Sequence, residues 1–397
     1  MNTEKRRHLL ADRNLRVICG VTVISVLGIA SVTPAFPAAA KALSVSSQEM
    51  ALLISAFTLP SIVFTPLTGI LADRIGRRQI LLPSLLLFGL GGVACAFAPS
   101  FPLLVFCRFV QGLGASSLSS LNMVLIGDLF EDDERESATG YNSSAVSLGT
   151  ALFPVLGGAL ALLSWRAPFL IAVLAFPVAY AVAVHLKVPF AKGTATMGGY
   201  FKALGSGLRQ REIVAILTAT AGTFIVLFGS VTTYLPFLLA ERFGASSFSI
   251  GLVFLCQSLA TALTASSSGF LAERFGPRSR LCLAFCLFSL ALVIYPRAGS
   301  LPPVILAALL FGTAQGLNMP VLLSLLVTFA CPEYRGGLMA VNTLVLRLGQ
   351  TVGPLLAGFV FLERGIDGVF NAAALAALVT VALVLALFGK SRLAGRC

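Results

Sequence analysis

Twelve apolar runs fill this chain of 397 residues, at about 17–40, 50–71, 79–98, 102–126, 138–163, 167–187, 213–239, 248–272, 279–297, 302–330, 337–361 and 368–389. Each exceeds the roughly 18 residues that an α-helix needs to cross the hydrocarbon core of a bilayer. The chain is 57% hydrophobic and 11% charged, with a mean hydropathy of +0.94. A soluble domain of this size could not hide so much apolar surface, so the bilayer is the expected solvent. The expected fold class is an all-α membrane protein of twelve transmembrane helices.

The net charge of +12 is distributed by topology and does not call for nucleic acid as a partner. Of the 28 Lys and Arg residues, 21 lie at the amino terminus, in the even-numbered loops and in the carboxyl tail. The odd-numbered loops hold Lys41, Arg166, Arg242, Arg297 and Arg364, while Arg108 and Arg347 lie inside runs. Basic residues favour the cytoplasmic face, so both termini are expected there. Residues 1–40 resemble a signal peptide, but their apolar run is too long and eleven more follow, so no cleavage is expected. The eight cysteines are scattered, and Cys282 with Cys286 has no metal-ligand cluster around it. They are expected to behave as small buried hydrophobes, with no metal.

A charged signature occurs twice, 200 residues apart. Gly69-Ile70-Leu71-Ala72-Asp73-Arg74-Ile75-Gly76-Arg77-Arg78 is echoed by Gly269-Phe270-Leu271-Ala272-Glu273-Arg274-Phe275-Gly276-Pro277-Arg278. The same offset pairs Leu81 with Leu281, Gly112 with Gly312, Arg135 with Arg335, Asn142 with Asn342, Gly149 with Gly349, Pro154 with Pro354 and Gly158 with Gly358. So many matches in one register indicate duplication. The polar stretch 188–212 then separates a six-helix bundle, 1–187, from a second, 213–397. Related bundles of this kind are the architecture of a rocking transporter, with its site between the repeats.

These residues resemble the major facilitator superfamily over essentially the whole chain. Gly69–Arg78 match its loop 2–3 signature, and Leu104, Arg108, Gln111, Gly112, Gly114 and Ala115 match its fourth-helix signature. Gly28, Pro34 and Pro37 resemble the first-helix pattern of the drug:proton antiporter branch. Gly140, Gly149, Phe153, Pro154 and Gly157 resemble its fifth-helix antiporter signature, with Phe153 where the family has glycine. The resemblance implies that Asp73 meets the amino terminus of the eleventh helix near Gly336–Leu338, and that Arg77 engages Asp128. With Gly69, Arg74, Gly76 and Arg78 these residues would form a latch that holds the outward-open state. Glu273, Arg274 and Arg278 would mirror it. The resemblance also associates Arg108 with proton coupling and places helices 1, 4, 7 and 10 around a central cavity.

Helical geometry supplies further candidates. At 100° per residue, Gln111, Gly112, Ala115, Ser119 and Asn122 fall within about 60° of Arg108. Gln315 and Asn318 in the tenth run, and Thr223, Ser230 and Tyr234 in the seventh, give similar polar faces. Such faces line a cavity or bond neighbouring helices. Arg347 lies near mid-bilayer, either in the cavity or against a neighbour of its own half. Gly349, Gly353 and Ala357, with Pro354 beside them, form a small-residue stripe, and Gly149, Phe153 and Gly157 form its counterpart. Small residues admit close backbone approach in lipid, so each stripe is expected to seal one half against the other. Phe153 is expected to protrude from that seal.

No Asp or Glu lies in the central part of any run, and neither histidine does. Arginines without a fixed anion favour neutral or anionic amphiphiles. The expected activity is therefore proton-driven efflux of such compounds by alternating access. The alternative is an importer, or a sugar or metabolite exporter, of the same fold. An enzyme is disfavoured because no nucleophile, base and metal are grouped; a sensor is disfavoured because the tail after Lys390 is short. The expected partners are the lipid bilayer, protons and a small-molecule substrate. No cofactor is expected beyond the proton gradient, and the protein is expected to be a monomer in the bacterial inner membrane.

Overall fold

The computed structural model describes residues 9, 11–130, 132–186, 205, 210–329 and 335–388. Most of the 188–212 linker and both charged tails lie outside them. Among the described residues, eleven helices are long and apolar enough to cross a membrane. They are α1 (Arg13–Leu43), α2 (Ser47–Ile75), α3 (Arg77–Phe97), α4 (Phe101–Leu129), α5 (Glu134–Leu163), α6 (Ala167–His185), α7 (Arg211–Phe243), α8 (Ser247–Ser266), α9 (Pro277–Arg297), α10 (Leu301–Phe329) and α11 (Gly337–Leu387).

Local chemistry sets several helix ends. Asp12 caps α1 by accepting the Leu15 N–H at 2.9 Å. Ser46 and Glu49 form a reciprocal capping box before α2, with Ser46 N–H on Glu49 Oε2 at 2.8 Å and Glu49 N–H on Ser46 Oγ at 3.2 Å. Two otherwise unpaired backbone donors are satisfied in this way. Inside the spans, a 3₁₀ turn at Thr33–Ala35 interrupts α1, and a π-helical turn at Leu227–Thr232 interrupts α7. The 51 residues of α11 would extend about 75 Å if straight, more than twice the hydrocarbon thickness. Its helical backbone breaks at Gly365 (φ 63°, ψ −167°). That conformation is essentially restricted to glycine, so a single residue stands where a loop was expected between the eleventh and twelfth runs.

The described residues form two compact units. One holds those up to Val45 together with those from Ala56 to the end of α6; the other holds Ser46–Ser55 and those after α6. In the first unit α1 packs on α4, α5 and α6, and α3 packs on α4 and α6. In the second, α7 packs on α10 and α11, α8 on α10, and α9 on α10 and α11. Each unit has its own apolar core, Ile18, Leu85 and Phe88 in the first and Phe285, Phe288 and Phe311 in the second. Large apolar side chains also face outward, such as Phe97, Leu163, Leu263 and Phe359. Water would penalise that belt, whereas lipid tails match it.

The duplication reappears as paired hydrogen bonds. Thr65 Oγ1 donates to Ser116 O at 2.9 Å, and Thr261 Oγ1 donates to Gly312 O at 3.0 Å. Arg78 donates to Ala183 O, and Arg278 donates to Leu385 O at 3.3 Å. Thr22 donates to Asn142, and Thr220 to Asn342 at 2.9 Å. The donor types recur as Thr, Arg and Thr in the second unit, although only Arg78 with Arg278 and Asn142 with Asn342 keep the 200-residue offset.

Candidate functional site

The first signature builds a compact charge cluster in its own unit. Gly76 is buried at φ +106°, a conformation that L side chains rarely adopt, and it turns the chain between α2 and α3. That turn brings Arg77 to Asp73 at 3.4 Å and to Asp128 at the end of α4. Arg77 Nη2 also donates to Asp128 Oδ1 at 3.3 Å. Arg135 grips the same helix end through Phe130 O at 3.1 Å and Gly127 O at 2.8 Å, where a cation complements the unpaired carbonyls. Arg74 is exposed, and Gly69 has open space around it. Arg78, named with the latch, ties α3 to α6 through Ala183 O.

The second copy is built differently. Pro277 occupies the position equivalent to Arg77, so no matching guanidinium bridge can form. Glu273 is exposed, Arg274 lies over the Phe270 ring at 4.4 Å, and Arg278 ties α9 to the later stretch of α11. Strain at the first turn should be measurable. Gly76→Ala is expected to lower unfolding stability by about 1–3 kcal/mol, because alanine is strained at that φ. Gly69→Ala, which meets nothing within 4 Å, is the matched control. Equal melting temperatures for the two variants in thermal unfolding would contradict the strained turn.

Arg108 is completely buried on α4. Its Nη1 donates to Gly28 O of α1 and to Gln111 Oε1, both at 2.8 Å. Its guanidinium stands 4.5 Å from the Phe57 ring centroid and 5.9 Å from that of Phe169. This cage combines hydrogen bonding and cation–π attraction, which gain strength when the cation is desolvated. In α11, Arg347 Nη1 donates to Gln350 Oε1 at 2.9 Å with the same i, i+3 spacing. The sequence reading missed Gln350; the signal was the repeat of Arg-x-x-Gln.

Two of the four candidate cavity amides, Asn122 and Asn318, bond neighbouring helices. Asn122 Nδ2 donates to Thr22 Oγ1 at 2.7 Å, and Thr22 in turn donates to Asn142. In the second unit Asn318 Nδ2 donates to Thr223 Oγ1 at 2.6 Å. Oδ1 of Asn122 and of Asn318 are buried and accept no hydrogen bond. Thr223 and Ser230 also donate within α7, to Ala219 O and Val226 O, and Ser230 sits in the π-turn. Tyr234 is fully buried and stacks on Phe361 at 5.3 Å, with its hydroxyl unpartnered. Gln111 is buried and Gln315 half-buried, while the Ser119 side chain lies outside the described residues. Thr22 and Thr220 were missed because their partners Asn142 and Asn342 lie 120 and 122 residues away, and no local pattern encodes such a pairing.

The glycine stripes differ from expectation in their partners. Gly157 lies so close to Ser31 O of α1 that no Cβ fits, and Gly149 faces Val26 of the same helix. Cβ atoms at Gly349 and Gly353 would stand 2.8 Å from Phe224 Cβ and 2.7 Å from Ile225 O of α7. Each stripe therefore meets a helix of its own unit; residue size reveals a close approach but not its partner. Phe153 does not protrude. It is buried in the first unit's core, its ring packed over Gly149. Pro154 and Pro354 are buried beside these contacts.

Comparison with known proteins follows the same pattern. Residues 18–246 and 217–395 match the Major Facilitator Superfamily. The chain is 37% identical over 164 residues to the Bacillibactin exporter of Bacillus subtilis (strain 168), a match covering 40% of this chain and 41% of that protein. It is 29% identical to the 3-(3-hydroxy-phenyl)propionate transporter of Escherichia coli (strain K12), over 88% of this chain and 87% of the relative. A bacterial homolog of the human lysosomal transporter Spinster shares the fold with a TM-score of 0.78 at 15% identity, covering 94% of this chain and 96% of that one. Both copies of the signature, the buried arginine and the paired helix contacts thus lie within matched sequence: the chain belongs to the Major Facilitator Superfamily.

Proposed function

We propose that the protein exports small neutral or anionic amphipathic compounds in exchange for protons, by alternating access of two six-helix bundles. The proposal includes twelve crossings, with the break at Gly365 as the turn between the last two, both termini in the cytoplasm, and residence in the bacterial inner membrane. The observation that carries it is Arg108: a fully buried membrane cation held by a carbonyl and an amide, in a chain whose spans carry no central acid. Intramembrane arginine costs about 2.5–3.5 kcal/mol on insertion scales and marks function by default. Without a fixed anion, a cavity disfavours cations. In this reading Arg108 takes part in coupling, with Gln111, Ser119, Asn122, Thr223, Ser230, Tyr234, Gln315, Asn318 and Arg347 as candidate cavity residues. Asp73, Arg77 and Asp128 form the latch, and the protein works as a monomer.

The Bacillus exporter match supports the outward direction. A second reading, uptake of a small metabolite, is favoured by the longer match to the propionate-type transporter. Transport into inverted vesicles under an imposed pH gradient distinguishes the two. Anionic and neutral dyes are expected to accumulate inside only while the gradient lasts. Accumulation that ignores the gradient, or selective handling of cationic dyes, would refute the proposal. In the same vesicles Asp73→Asn is expected to slow turnover severalfold while substrate binding persists. Lost binding would move Asp73 from the latch to the substrate site.

A further inference from the structure

Two glycine contacts, one on α1 and one on α7, differ in tightness. In the second unit Gly222 of α7 presses so closely on Thr380 that a Cβ would collide with it. In the first, a Cβ on Gly20 of α1 would meet the Val178 methyls of α6 only at 3.6 Å, an ordinary contact. A groove of about 440 Å³ occupies the looser seam. Gly20, Pro177 and Val178 line its apolar depth, while Arg13, Arg16 and His185 stand where α1 begins and α6 ends. From Arg13 to Gly20 the groove runs about 10 Å along the helix axis. No acid is among its described lining residues; Asp12 is engaged in capping the Leu15 N–H.

The geometry points to a binding site for one acidic phospholipid, its phosphate at Arg13 and Arg16 and an acyl chain against Gly20 and Val178. Charge complementarity selects an anionic headgroup, because basic groups near a membrane surface attract acidic lipids and discriminate against zwitterionic ones. The apolar depth requires a hydrocarbon tail, which a free oxyanion lacks. Arginine suits the position, since its stem packs along apolar surface while its head reaches the interface. The site lies on the first unit alone and is separate from Arg108 and the latch.

The test uses the full-length protein, delipidated in detergent and titrated with phosphatidylglycerol or phosphatidylcholine of identical chains, with bound lipid counted by native mass spectrometry. One phosphatidylglycerol is expected to be retained more tightly than any phosphatidylcholine. The double variant Arg13→Gln/Arg16→Gln is expected to bind it about 30-fold more weakly, the scale set by two basic residues near an anionic lipid. Gly20→Leu fills the groove without removing a charge and is expected to weaken retention as well. Equal retention of the two lipids, or undiminished binding by the arginine variant, would overturn the assignment. Displacement by inorganic phosphate would also overturn it, since the cations would then serve a free oxyanion.

Discussion

Arg108→Ala is expected to abolish gradient-driven transport, with a loss of at least about 100-fold, while the protein still folds. The substitution leaves Gly28 O and Gln111 Oε1 without the donor that each has at 2.8 Å. An orphaned buried polar group costs about 1–3 kcal/mol. Part of that cost is offset, because the desolvated cation disappears too. Stability should therefore fall modestly and transport steeply. Arg108→Lys keeps the charge but loses the planar fork that reaches α1 and Gln111 together, so partial activity is expected. Transport rates in proteoliposomes, set beside melting temperatures, check both variants. A normal rate for Arg108→Ala would leave the residue only the role of anchoring α4 to α1.

Gly157→Val should be the most damaging packing change. A Cβ at Gly157 would collide with the Ser31 carbonyl, a backbone atom with no rotamer by which to yield. Overpacking of cores typically costs about 1–3 kcal/mol, and more where backbone must move. Loss of monodisperse protein in detergent, or a drop of several degrees in melting temperature, is expected. Gly140→Ala, where a methyl meets nothing within 4 Å, should leave both unchanged. If the two variants behave alike, α1 and α5 are not in the contact described.

The helical fold and its duplication were legible because lipid forces long apolar runs, and because the duplicated residues kept their offset. Glycine, proline and arginine carried that register, and the close approaches of Gly112 to Phe57 O and of Gly312 to Gln257 O repeat it in three dimensions. Boundaries were less legible. Leu362–Asp367 reads as a polar gap, yet the helix needs only one non-helical residue there, because Gly365 can adopt a backbone closed to other residues. The polar face of α4 could be placed by angle, but its partners could not. Asn122 meets Thr22, 100 residues away, and no local pattern encodes that pairing. Phe153 was misread for a similar reason. An aromatic ring in a small-residue stripe can project outward or fold back over the preceding glycine, and spacing does not distinguish the two.

The central claim, a rocking exchange between two copies of one helical unit, is tested most directly by spin-label distances measured in a cysteine-depleted background. One pair, Ser100→Cys with Ser300→Cys, marks the α3–α4 and α9–α10 connections; the other, Gln79→Cys with Ser279→Cys, marks the opposite end of α3 and α9. All four positions are exposed. Changing pH or adding a transported substrate is expected to shift the two distance distributions in opposite senses, one end closing as the other opens. Distances that stay fixed, or that lengthen and shorten together, would contradict it.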